Sequence, residues 1–188
     1  MSPHTFKVLV VSTNKRLQSV IPVLLARHDA LIYQGSVSTA GEALALTLAD
    51  APDVIVCDSP PSGALEIFTW RAIRESGPRV IILTRYLQAG DDVRSTLAGA
   101  AGQILVPERR LTESILRVAG GELLRSEDLA GRLRAIATGE APSLLNGPER
   151  RVLGLVADGE PDESIAIHLG VSQADVREYI AAITEKLG

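Results

Sequence analysis

One carboxylate and three hydroxyls close three of the most apolar runs in the chain: Ser12 and Thr13 follow KVLVV, Asp58 follows VIVC, and Thr84 follows VIIL. Together they could offer oxygens to a hard cation, but Mg²⁺ asks for near-octahedral oxygen coordination, which a lone carboxylate with hydroxyls supplies poorly. The bland alternative for Asp58 is a solvated carboxylate ending a strand. Cys57, the only cysteine, excludes a disulfide framework and a Cys-based zinc site; beside Asp58 it reads as a buried, apolar strand residue. His4, His28 and His168 are too scattered for a metal cluster, and Trp70 reads as packing rather than binding. No nucleophile–base pair is apparent. GAAG (99–102) follows a helical pattern and precedes a strand, the reverse of the order a nucleotide loop needs. The residues therefore argue against an enzyme and name no cofactor.

What positions these side chains is an alternation of strand and helix. Short runs rich in Val and Ile occur at 8–11, 54–57 and 80–83, with weaker ones at 31–37 and 103–106. Such runs suit strands covered on both faces, as in a parallel sheet. Helical spacing fills the intervals, for example at Leu17, Val20, Ile21, Leu24 and Leu25, or at Ile67, Trp70 and Ile73. Five strands alternating with five helices predict a doubly wound α/β domain over 1–121. Functional groups in such a sheet gather beyond the carboxyl ends of the strands, here Ser12 and Thr13, Asp58, Thr84 and Val106. Gly120 and Gly121 close this domain, and 122–143 read as a helical linker and hinge ending in TGEAPS. The remainder, 144–188, divides into three helices at about 148–158, 162–169 and 173–187. Pro148 sits in a first turn, Ser172 is an N-cap, and the tight turn LGVS makes the last two a helix-turn-helix.

Composition agrees with a cytoplasmic protein. The apolar fraction of 46% is ample for a core, no run approaches a membrane span, and the N-terminus lacks the pattern of a signal peptide. Charge is more informative when divided. Residues 1–120 carry 12 Lys+Arg and 11 Asp+Glu, whereas 146–188 carry 4 and 8, so the net charge of −4 equals that of the last segment.

PDVIVCDSPPSG, VIILTRY, LAGAAGQILVPE and ERRVLGLVADG…ESIAIHLGVSQADVREYIAAITEKLG, in that order, resemble response regulators of the NarL/LuxR type, particularly actinobacterial ones: a flavodoxin-like receiver followed by a LuxR-type helix-turn-helix. The resemblance places the phosphate-accepting aspartate at Asp58 and the phosphoryl-contacting hydroxyl at Thr84. Ser12 and Thr13 then stand where the family has its metal-holding acids, Val106 where it has a lysine, and Gln103 where it has the aromatic that reports the switched state. This implies a receiver that has lost Mg²⁺-dependent phosphorylation.

In the second domain the resemblance makes Ser172, Gln173, Ala174, Arg177 and Glu178 the DNA-facing residues, with Val176 and Ile180 turned to the core. Arg150 and Arg151, on the preceding helix, would hold phosphates. Arg177 is the best candidate for a guanine or phosphate contact. Against this, Asp175 and Glu178 would meet phosphates with negative charge. The family has a fourth helix after KLG, its usual dimer contact; either that segment was removed or lost, or a homodimer forms through the receiver. Two readings follow: a phosphorylation-independent transcription factor on double-stranded DNA, controlled by abundance, a partner protein or a small ligand, or a protein-interaction module that kept the fold and lost strong DNA binding.

Overall fold

The computed structural model describes residues 5–62, 64–84, 90–105, 110–124 and 127–187. Five parallel strands, β1 (Phe6–Val11), β2 (Leu31–Val37), β3 (Val54–Cys57), β4 (Arg79–Thr84) and β5 (Gly102–Leu105), form one sheet in the order β2-β1-β3-β4-β5. Its helices are α1 (Lys15–Leu25), α2 (Ala40–Ala49), α3 (Ala64–Glu75), α4 (Asp91–Leu97) and α5 (Leu111–Ala119). Then come α6 (Glu127–Thr138), α7 (Gly147–Ala157), α8 (Asp162–Leu169) and α9 (Gln173–Leu187). The doubly wound sheet and the following helical unit are those expected from the sequence.

Strand order reverses between β1 and β3, so their carboxyl ends lie side by side and form the crevice in which such sheets carry their sites. The two-residue period of a strand sends alternate side chains to opposite faces. Leu9, Val11, Ile55, Cys57, Val80 and Ile82 pack on one side with α2, α3 and α4. Val8, Val10, Val54, Val56, Ile81 and Leu83 pack on the other with α1 and α5. This alternation, hidden inside runs that are apolar throughout, is what lets one sheet serve two cores.

The first of those cores does not stop at the sheet domain. Val152, Leu153, Val156, Ile165, Val176 and Ile180, all of the helical unit, belong to the same buried cluster as Trp70 and Leu97. Helix α7 packs on α4, and α9 on both α3 and α4. Sequence reading treats 122–143 as a helical linker and hinge; α6 and α7, on either side of TGEAPS, pack against each other. The sheet also reaches past Gly121, because Leu124 bridges to Gly102 and its N–H donates to the carbonyl of Ala101 at 2.7 Å.

Candidate functional site

Val11 pairs with Cys57 in the sheet register, so the next residues, Ser12 and Asp58, emerge as neighbours. Ser12 is only 1% exposed. Its hydroxyl donates to Asp58 Oδ2 at 2.7 Å, and its oxygen accepts the N–H of Asn14 at 2.9 Å. The Gln18 side chain donates to the Ser12 carbonyl at 2.6 Å, which fixes the start of α1 over the crevice. Asn14 caps that helix, accepting from the N–H of Arg16 at 3.0 Å. Thr13 turns outward and is exposed. Thr84 is buried at the end of β4. Gln103 lies elsewhere: on β5 it lines a cleft of about 160 Å³ with Ser95, Leu129 and Arg132, between α4 and α6. Val106 falls outside the described residues.

The arrangement at Asp58 answers to hydrogen bonding rather than to a metal. A hard dication needs several oxygen ligands, and here one carboxylate oxygen already accepts a hydrogen bond from the neutral hydroxyl of Ser12. Among the described residues no group of three or more His, Cys, Asp or Glu could hold a metal ion. The residues present do not fit Mg²⁺.

Cys57 is equally quiet. It is buried, its Sγ donates to the Ser59 carbonyl at 3.3 Å, and burial pushes the thiol pKa up to about 12. Because the thiolate is the reactive species, the folded protein should resist iodoacetamide at pH 8 and take one equivalent in urea. Rapid labelling of the folded chain, read by intact mass, would contradict this.

In the second unit a tight turn joins α8 to α9. Gly170 ends α8 in the left-handed conformation that a tight turn requires (φ 66°). Ser172 then starts α9, its hydroxyl accepting from the Asp175 N–H at 3.1 Å while Asp175 accepts from the Ser172 N–H at 2.8 Å. Gln173, Ala174, Arg177 and Glu178 are exposed, and Val176 and Ile180 are buried. Asp175, feared as a repulsive charge, is therefore half of a capping pair; the hydrogen bonds from Ser172 hold its carboxyl below the ordinary aspartate range.

Sequence reading missed a second box. Asn146 and Glu149 cap α7 reciprocally at 2.9 and 2.8 Å, with Pro148 in the first turn. The Lys186 ammonium donates to both Glu149 oxygens, at 2.6 and 2.7 Å. Burial pushes the Glu149 carboxyl up, but Lys186 and the Asn146 N–H outweigh it and hold the group below its usual range. The N-x-x-E spacing of NGPE was the available signal. Arg151 is exposed, whereas Arg150 is half-buried with its guanidinium against Gly139.

The same unit is tied to the receiver-like sheet domain by ions. Arg71 on α3 is buried and donates through Nε to Asp162 Oδ1 at 2.8 Å, through Nη2 to the same oxygen, and through Nη1 to the Leu97 carbonyl at 2.6 Å. Arg74 donates to the carbonyls of Gly159 and Glu160, just past the C-terminus of α7, where a cation complements the helix dipole. Arg177 lies 3.7 Å from Glu75. None of these partnerships was expected from sequence.

No protein-family model matches the chain. It is similar to the response regulator RamR of Streptomyces coelicolor, 30% identical over 186 residues that cover 97% of this chain and 89% of that protein. It is similar also to the transcriptional regulatory protein DesR of Bacillus subtilis, 28% identical over 182 residues covering 96% and 89%. A solved structure of the RcsB response regulator of Salmonella typhimurium shares the fold with a TM-score of 0.55 at 19% identity, over 98% of this chain and 93% of that one.

Proposed function

Because the chain belongs to the response regulators of the NarL/LuxR type, we propose that it is a DNA-binding transcriptional regulator, acting as a homodimer, whose receiver works without Mg²⁺-dependent phosphorylation of Asp58. The observation that carries the second half is the hydrogen bond from Ser12 to Asp58 Oδ2. A phosphoryl group transferred to that carboxylate would need positive charge beside it, and the group in place is a neutral hydroxyl. Control then comes from protein abundance, a partner protein or a small ligand. Support for the first half is the exposed face of α9, where Gln173, Ala174 and Arg177 stand at the start of a helix shaped for a major groove.

Incubation with acetyl phosphate and Mg²⁺ should give no stoichiometric gain in intact mass and no change in affinity for a promoter-proximal fragment. A gain that disappears in Asp58→Asn would refute the receiver reading. The competing reading, an interaction module with weak DNA binding, draws on the 8 acids against 4 Lys and Arg in 146–188. Log Kd should rise linearly with log salt if phosphate contacts drive binding; no gel shift at low salt would favour the module.

A further inference from the structure

The cleft between the two units, about 330 Å³, is lined by Phe68, Arg71, Ala72, Glu75, Asp162 and Arg177. Its chemistry is unbalanced in one respect. Arg71 occupies Asp162 Oδ1 with two donors, while Oδ2 is buried and accepts nothing. Lining the same cleft is another carboxylate, Glu75, one helical turn along α3 from Arg71. Two ionised carboxylates in one cleft, Asp162 buried and Glu75 partly open to water, repel each other; one proton between them converts the repulsion into a hydrogen bond and gives Oδ2 its donor. We propose that the packing of α8 and α9 on the receiver is latched by a single proton held by Glu75 and shared with Asp162, and that losing it frees the reading helix. This rests on α9 being the DNA-reading helix.

The placement suits a latch that exchanges protons with solvent. Asp162 is at the bottom, with its side chain 1% exposed, whereas Glu75 is at the rim and partly open to water. The charged groups acting on Glu75 are Asp162 from α8, Arg177 from α9, and Arg71 and Arg74 from its own helix. Burial, then the hydrogen bond to Asp162 and its charge, raise the Glu75 carboxyl above the ordinary glutamate range, and Arg177 and Arg71 do not cancel this. Burial also pushes Asp162 up, but Arg71 outweighs it, with smaller help from Glu75 and Arg177, and holds Asp162 below the ordinary aspartate range. The proton therefore belongs to Glu75.

The directions fix the pH window. A raised carboxyl contributes to closure in full below its open-state pKa, and the contribution is lost as pH rises through the closed-state value. The depressed Asp162 contributes above its open-state pKa and loses this as pH falls through its closed-state value. Closure is thus strongest with one proton on the pair and weakens upward from the ordinary glutamate range, the closed-to-open ratio falling by up to about tenfold per pH unit.

The test is small-angle X-ray scattering of the full chain across pH, with Glu75→Gln as the permanently protonated mimic. Wild type should expand as pH rises, while E75Q, whose amide donates to Asp162 at any pH, should stay compact. DNA affinity of E75Q at the alkaline end should be weaker than that of wild type. A wild-type radius of gyration independent of pH, or an E75Q variant that expands in parallel with wild type, would overturn the latch. If wild type alone expands but binds DNA at no pH, the latch stands and the DNA-reading assignment falls.

Discussion

Replacing Arg71 by methionine should destabilise the protein by about 3–5 kcal/mol in urea unfolding, the range for breaking a buried ion pair by removing one partner. The loss is large because it strands Asp162, whose side chain is 1% exposed and whose Oδ1 loses both of its donors. It also removes the donor from the Leu97 carbonyl at the end of α4. The double variant Arg71→Met/Asp162→Leu should recover most of it, since two apolar side chains of similar volume leave no unpaired charge. The coupling in this double-mutant cycle isolates the pair. An R71M midpoint close to that of wild type would mean that the helical unit does not dock on α3 in solution.

Arg177→Ala should weaken specific DNA binding by roughly ten- to a hundredfold, the equivalent of one bidentate base contact at about 1–3 kcal/mol. Arg177 has a second role that works in the opposite direction. Its guanidinium lies 3.7 Å from Glu75, an attraction that holds the helical unit down only where Glu75 is ionised, and removing it there eases opening. With the Arg177 side chain 52% exposed, that pairing is worth at most about 1 kcal/mol. The lost contact therefore decides the sign. Glu178→Ala should strengthen binding to any sequence by removing an exposed carboxylate from the expected groove face. Asp175→Ala should not be its equivalent, because it also breaks the cap of α9. Fluorescence anisotropy at two salt concentrations reads all three; if R177A binds like wild type, α9 is not the reading element.

The sheet was legible because each strand is a bounded apolar run and each covering helix repeats its apolar residues with helical period. The crevice followed from topology: once β1 and β3 are central, Ser12 and Asp58 must meet. The helix-turn-helix was legible down to its buried Val176 and Ile180. What the sequence concealed was the docking of one unit on the other. Arg71 and Arg74 in FTWRAIRE look like ordinary solvent-facing cations, and nothing local distinguishes them from Arg94 or Arg117. Their partners lie 91 and 85 or 86 residues away, beyond any periodic pattern. Gln103 was matched to the family's switch aromatic by correspondence alone, and a correspondence of sequence does not say which cleft a side chain lines.

The core shared by α3, α4, α7 and α9 bears on how the chain is made. Synthesis proceeds from the N-terminus, so the receiver-like sheet can close while the face of α3 and α4 that α7 and α9 will cover is still bare, with the guanidinium of Arg71 lacking its carboxylate. At the usual 5–20 residues per second, the last forty or so residues arrive roughly 2–8 s later. During that interval the nascent chain carries an apolar face of the kind that chaperones hold and that neighbouring nascent chains bind. Variants that weaken α7 to α9 would prolong it, and would be recognised by low yield during translation before any defect in the finished protein could be measured.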